Sequence, residues 1–109
     1  MVEIEEFERL VLREISCFFL SNESIPVLLQ KAKDVIREVL PEALIYQQDY
    51  SLNIDNKATM IFHRRFANAV EITYKYPVEE VEKYLHIIYQ VGGKFDNPAY
   101  IMQKDKMTF

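Results

Sequence analysis

Two segments in which polar and apolar residues alternate, 44–54 and 58–76, constrain the fold of this chain more than any other feature. Alternation with a period of two places successive side chains on opposite faces of a β-strand. The Asp-Asn-Lys sequence at 55–57 is a turn signal between the segments, and a short break at 67–69 divides the second one. The pattern therefore predicts a meander of three antiparallel strands, over residues 44–54, 58–66 and 70–76.

The loop lengths determine how these strands pair. If each loop holds three residues, apolar side chains oppose each other on one face in four pairs: Leu52–Met60, Tyr50–Phe62, Phe66–Val70 and Phe62–Tyr74. A shift by one residue would set that apolar row against charged neighbours, so this register is preferred. On the other face it sets Asp49 opposite His63. Arg65 then lies between Gln47 and Glu71.

Apolar residues three and four positions apart predict three helices, over residues 3–20, 25–40 and 77–91. The first is apolar on nearly every side from Ile15 onward. Such a segment needs cover from more than one neighbouring element, which can be the sheet with another helix or a second subunit.

Residues that begin and end helices support the second and third of these predictions. Ser24 can cap the second helix, and Pro41 ends it. Pro77 opens the third helix at its first position, and the adjacent glycines that follow are a natural stop. After a loop, residues 99–103 predict a last strand, with Lys104 suited to an exposed edge.

The predicted fold is therefore α+β, in the order α-α-β-β-β-α-β. An antiparallel sheet of about four strands, the three-stranded meander plus a C-terminal strand, carries helices on one face. The 109 residues are too few for two domains of ordinary size, so we expect one domain over residues 1–109.

Composition excludes several classes of function. The two glycines are adjacent, at Gly92 and Gly93, which excludes loops that bind phosphate through spaced glycines. The net charge of −4 argues against broad, non-specific nucleic-acid binding. The only cysteine, Cys17, permits no internal disulfide and lies in an apolar run too short to span a membrane. We therefore expect a cytoplasmic protein with a buried, inert thiol, no cofactor and no membrane contact.

The predicted Asp49–His63 pair has two interpretations. As a catalytic pair, the carboxylate would orient the imidazole and raise its basicity, which gives a general base near neutral pH. As a structural pair, it is charge complementarity across two strands on a solvated face. The structural interpretation is favoured because a flat sheet face offers no cleft. Ser51 does not complete a triad either, since the histidine would have to lie between serine and aspartate.

Arg64 is unexpected, because alternation places it on the apolar face between Gln48 and Ile72. A buried guanidinium needs a partner. Two structural explanations of Arg64 are favoured: its guanidinium binds a partner within the fold, or its side chain extends outward so that the charge reaches solvent. Anion binding is less favoured, and a mistaken register is the remaining explanation.

Two ligand-binding hypotheses follow from the cations and histidines of the chain. Nucleic acid could bind through His63, Arg65 and Lys75, although alternation sends most aromatic side chains to the helix-covered face and leaves few for base stacking. Metal binding is not expected, because His63 and His86 have no ligand-like spacing to each other or to Cys17.

The leading hypothesis is a non-enzymatic binding or adaptor protein that forms a homodimer and docks a protein partner. An enzyme that uses the Asp49–His63 pair ranks below nucleic-acid binding. Surplus apolar surface and the lack of a catalytic constellation motivate this order. The partner is expected to dock on the open side of the sheet or at the sheet edge. The residues of the open side are Asp49, Ile61, His63, Arg65, Glu71, Thr73 and Lys75.

Overall fold

The computed structural model describes residues 12–95 and the backbone of residues 100–104. Within these residues a six-stranded antiparallel sheet has the strand order β2-β3-β4-β5-β1-β6 and carries two helices on one face. The elements in chain order are β1 (Leu12–Leu20), α1 (Ile25–Val39), β2 (Ile45–Gln48), β3 (Ser51–Ile54), β4 (Ala58–Phe66), β5 (Ala69–Pro77), a 3-10 turn (Val78–Glu80), α2 (Val81–Gly92) and β6 (Tyr100–Lys104). The α+β class and the placement of the helices on one face are as predicted.

The core lies between the helices and one face of the sheet. The sheet contributes alternate residues of β1, β3, β4 and β5, and the helices contribute one stripe each. Fully buried side chains of the helices are Leu28, Leu29, Ala32, Val35, Ile36, Ile87, Ile88 and Val91. Burial of one aliphatic side chain of Val or Leu size contributes about 1.5–3 kcal/mol, so this cluster accounts for the stability of both helices in the fold.

The prediction of a helix over residues 3–20 is wrong for the part that the structure describes. Residues 12–20 form β1, which pairs with β5 on one side and β6 on the other. Residues 3–11 lie outside the described residues. The apolar run from Ile15 is explained by a central strand that is buried on both faces, since Glu14 and Ser16 are also buried. A short apolar run of this kind fits a buried strand as well as a helix.

The prediction of one strand over residues 44–54 is also wrong, because the chain reverses at Asp49 and Tyr50. β2 and β3 form a hairpin in which Gln48 pairs with Ser51. Asp49 has a φ of 51°, a left-handed conformation that Asp tolerates better than most residues. The reversal turns Tyr46 to the open side of the sheet and Gln47 to the helix side, opposite to the predicted facing.

The predicted register is confirmed between β3 and β4 and shifted between β4 and β5. Leu52 pairs with Met60, and the 55–57 loop has three residues as predicted. Between β4 and β5 the loop has two residues and Arg65 lies in a bulge, so Phe62 pairs with Ile72 instead of Tyr74. For residues 59–64 this shift is two residues long, so their side chains keep the predicted face. After the bulge, Phe66 pairs with Ala69 instead of Val70, so it lies on the face opposite to the predicted one and is 72% exposed.

The other helix and strand predictions are confirmed with small changes at their ends. α1 begins after Ser24, although the Ser24 side chain makes no capping hydrogen bond. A 3-10 turn separates Pro77 from α2, and α2 ends at the adjacent glycines. β6 matches the predicted C-terminal strand and lies at one edge of the described sheet, so the observed order is β-α-β-β-β-β-α-β.

Candidate protein-binding surface

The sheet face opposite the helices, hereafter the open face, contains most of the predicted binding surface. Ile61 and His63 on β4 lie beside Thr73 and Glu71 on β5, because Ile61 pairs with Thr73 and His63 with Glu71. Lys75 extends the same row and is exposed. Of the seven predicted residues, Asp49 is the one that the structure places away from this row, in the turn after β2.

Arg65 and Glu71 form the strongest polar contact of the open face. The bulge at Arg65 directs its guanidinium to Glu71, and Nε donates a hydrogen bond of 2.9 Å to Glu71 Oε1. Nη2 donates to the same oxygen and completes an ion pair. Glu71 is only 5% exposed, whereas half of the Arg65 side chain is accessible to solvent. Arg65 therefore compensates a buried carboxylate, which otherwise would be costly in this position.

Two further contacts join β1 to β5 on this face. Lys75 Nζ lies 3.7 Å from Glu14 Oε1, and the hydroxyl oxygens of Ser16 and Thr73 are 3.4 Å apart. Glu14 and Ser16 are both buried. The part of the open face over β1 and β5 is thus a network of polar groups that bind one another, and its cations lie beside carboxylates.

Arg64 has a structural role. Its Nη1 donates a 2.7 Å hydrogen bond to the carbonyl of Ser21, and Nη2 donates to the carbonyl of Glu23. Both acceptors belong to the segment between β1 and α1. The guanidinium reaches outward at the end of the sheet and fixes this segment, which agrees with the structural interpretation of Arg64 from the sequence.

The proposed Asp49–His63 pair is not formed. Asp49 lies in the turn before β3, which begins at Ser51, and within the described residues no hydrogen bond or ion pair joins Asp49 to His63. The neighbour of His63 across the strands is Glu71, which is held by Arg65. The predicted contact between Asp49 and His63, on which general base catalysis would depend, is therefore absent from the described residues.

Residues 45–48 form the edge strand β2, which the predicted three-stranded meander does not contain, although the sheet edge was one of the two expected docking sites. Within the described residues β2 pairs only with β3, and its outer edge carries no partner strand. Exposed apolar side chains surround it, with Leu44 at 61%, Tyr46 at 59% and Tyr50 at 64% exposure. The residues 44–48 carry no charge and no proline, the two devices that usually block an edge. Three consecutive polar residues, Gln47, Gln48 and Asp49, interrupt the alternation, and this signal could have revealed the hairpin.

Two buried groups, the Cys17 thiol and the Tyr84 hydroxyl, have raised pKa values. Burial raises the pKa of the Cys17 thiol to about 12. Burial, followed by the carboxylates of Glu80 and Asp55, raises the pKa of Tyr84 to about 12 as well. Both groups are therefore protonated at neutral pH, and the Tyr84 hydroxyl has no hydrogen-bond partner among the residues that the structure describes. A protonated thiol is a poor nucleophile.

Metal sites and membrane spans are not found among the described residues. No group of three or more His, Cys, Asp or Glu side chains in residues 12–95 could hold a metal ion. None of the helices in that part of the chain has the length and apolar character needed to cross a membrane. Comparison of the chain with protein-family models, with curated proteins and with solved structures gave no match.

Proposed function

We propose that this chain is a non-enzymatic binding or adaptor protein that acts as a homodimer through protein–protein contacts. Its contact surface comprises the β2 edge and the adjoining open face over β2, β3 and β4. The observation that carries the proposal is the uncharged edge of β2, with Leu44, Tyr46 and Tyr50 exposed beside it. Strand edges with free backbone groups bind extended segments of other chains, and exposed apolar side chains add contact area.

The polar chemistry of the open face supports binding over catalysis. The carboxylate of Glu71 is bound by Arg65, and no hydrogen bond joins Asp49 to His63, so among residues 12–95 neither acid orients this histidine as a general base. Nucleic-acid binding through His63, Arg65 and Lys75 has less support, because Glu71 and Glu14 lie next to the two cations. Phosphate contacts need cations that are free to replace counterions.

The single, buried thiol of Cys17 fits a cytoplasmic location, where a disulfide framework is not formed. A cytoplasmic binding protein of this size would rely on assembly to enlarge its contact surface. Two copies related by a two-fold axis would present the open face twice, which fits an adaptor that holds two partner segments.

The proposal is tested by the mass in solution and by the position of protein contacts. Light scattering over a concentration series should give a dimer at tens of micromolar. A photoreactive residue in place of His63 should then form adducts with protein in cells of the source organism. The same residue in place of His86, which is also exposed but lies on α2, is the matched control. A monomeric protein that forms adducts equally from position 63 and position 86 would refute the proposal. Salt-dependent binding of oligonucleotides would support the nucleic-acid alternative.

A further inference from the structure

We propose that β2 pairs with β2 of a second copy, antiparallel about a two-fold axis that passes by Tyr46. The two sheets then join edge to edge into one continuous sheet. This inference rests on the proposed function and names the occupant of the β2 edge. Three observations support the inference: the direction of the backbone hydrogen bonds in the hairpin, the exposed side chains of residues 44–48, and the absence of charge in these residues.

The hydrogen bonds of the hairpin determine which backbone groups point outward. Asp55 N–H donates a 2.8 Å hydrogen bond to the carbonyl of Leu44, and Leu44 N–H donates to Asp55 Oδ1 at 2.8 Å. Leu44 therefore points its backbone groups toward β3. In an antiparallel pair this direction alternates from one residue to the next. Ile45 and Gln47 consequently direct their N–H and C=O groups to the outer edge.

A two-fold axis by Tyr46 satisfies all of these outward groups at once. It sets Ile45 opposite Gln47 of the second copy, and Gln47 opposite Ile45 of the second copy. Both are hydrogen-bonded pairs of the antiparallel ladder, in which each residue donates its N–H and accepts at its C=O. An unrelated peptide could bind the same groups. A second copy, however, presents outward N–H and C=O groups of the same two residues at the same spacing, so every group of one edge finds its partner on the other.

The side chains are self-complementary about the same axis. Tyr46 pairs with Asn53 and so lies on the open face, since the neighbours of Asn53, Leu52 and Ile54, are buried in the core. Tyr46 would face Tyr46 of the second copy in a non-hydrogen-bonded pair, the arrangement in which side chains are closest. Leu44 would lie diagonally from Tyr46 of the second copy. The exposed apolar residues of the two edges would thus cover one another.

The β2 strand itself carries no charge that would oppose a second copy, whereas charges around it weaken the contact at low salt. Residues 44–48 are uncharged, so two edges meet without like-charge repulsion within the strand. On the helix side, Lys33 Nζ donates a 2.8 Å hydrogen bond to Gln47 Oε1, which holds one cation of each copy near the axis. Each chain also has a net charge of −4. The two Lys33 cations repel each other, and so do the two acidic chains. Added salt screens both repulsions and should therefore strengthen this dimer.

Disulfide trapping tests the register directly. In the proposed dimer the Cα atoms of the two residues at position 46 are about 4.5 Å apart, within the range that a disulfide spans. Mild oxidation of Tyr46→Cys should give a covalent dimer. Gln48→Cys is the matched control, because it lies on the same exposed strand and face. Its two copies would be separated by roughly 14 Å along the strands, too far for a disulfide. Cys17 is buried and does not compete.

A second pair of variants tests the same contact without oxidation. Tyr46→Lys sets two cations opposite each other and should weaken the dimer by about tenfold or more. Tyr89→Lys introduces the same change at a side chain of similar exposure, 64%, on α2 and should leave the dimer unchanged. Circular dichroism verifies that both variants are folded.

The outcomes separate this inference from the proposed function. A dimer by light scattering that Tyr46→Cys does not trap, or that Tyr46→Lys does not weaken, overturns the β2 contact and leaves the homodimer in place. A monomer at tens of micromolar overturns both. Equal trapping through Tyr46→Cys and Gln48→Cys indicates random collisions and also overturns the β2 contact.

Discussion

Arg65 on β4 and Glu71 on β5 form an ion pair across a bulge, in which an exposed guanidinium covers a buried carboxylate. The contact explains why a strand in an otherwise regular sheet contains a bulge at this point. The extra residue aims the arginine at a carboxylate that is not its direct partner across the strands. His63, which is the direct partner of Glu71, remains exposed.

Removal of the guanidinium should destabilise the fold. Arg65→Ala leaves the Glu71 carboxylate buried without its donors, and we expect the free energy of unfolding to fall by about 1–3 kcal/mol. Arg65→Lys keeps the charge but lacks the forked donors, so its loss should be smaller. Urea denaturation measures both. Arg37→Ala, on the exposed side of α1, should change stability by less than about 0.5 kcal/mol. Equal losses for Arg65→Ala and Arg37→Ala would contradict the buried-carboxylate argument.

Arg64 should stabilise the segment between β1 and α1 more than the rest of the fold. Arg64→Ala removes the donors to the carbonyls of Ser21 and Glu23, and we expect a loss of about 1–2 kcal/mol. Amide hydrogen exchange should accelerate mainly in residues 21–24. Exchange that accelerates equally in α2, or not at all near Ser21, would show that Arg64 does not hold this segment. Arg37→Ala again serves as the control for loss of a cation.

The helices α1 and α2 could be predicted from the sequence because each buries one stripe of side chains, so apolar residues recur three and four positions apart. β1 could not, because it is buried on both faces and its apolar run has no alternation. Its pairing partners, β5 and β6, are distant in sequence, and local patterns carry no information on such contacts. Ser16 is polar yet buried, because β1 is covered on both faces.

The open face could be predicted in part for a related reason. Ile61, His63, Thr73 and Lys75 were assigned to the correct face because the error in register was two residues, which preserves facing. Asp49 was misplaced because nothing but a polar run marks its turn. A glycine at that position would have signalled the left-handed conformation, whereas aspartate adopts it without a distinctive pattern.

Asp49 should therefore be replaceable by glycine. Its φ of 51° is unfavourable for a residue with a Cβ atom but not for glycine. Glycine also increases the conformational entropy of the unfolded chain, and this effect opposes the first one. We expect Asp49→Gly to leave the free energy of unfolding unchanged or to raise it by up to about 1 kcal/mol. Asp49→Val, which resists this conformation, should lower it by about 1–2 kcal/mol. Thermal and urea denaturation provide the measurement, and a large loss for Asp49→Gly would mean that the carboxylate itself has a role.

The buried hydroxyl of Tyr84 should make the fold sensitive to alkaline pH. The pKa of Tyr84 is raised from 10.0 to about 12 in the folded chain, by burial first and then by Glu80 and Asp55. Between these two values the unfolded chain has released the proton and the folded chain retains it. The free energy of unfolding therefore falls as the pH rises from 10 toward 12, and below pH 10 this group contributes no pH dependence.

Tyr84→Phe should reduce that alkaline loss. It should also keep or increase stability at pH 7, because the hydroxyl is buried without a partner and its removal abolishes a desolvation cost. Urea denaturation at a series of pH values, with tyrosinate absorbance recorded on the folded protein, measures both effects. Tyr50→Phe, in the exposed turn between β2 and β3, is the matched control and should retain the wild-type alkaline profile. If Tyr84→Phe destabilises the protein at pH 7 by more than Tyr50→Phe does, the hydroxyl has a partner after all. If the alkaline loss is unchanged in Tyr84→Phe, it arises from other groups, such as Cys17, Tyr74 and Tyr76, whose pKa values are also raised by burial.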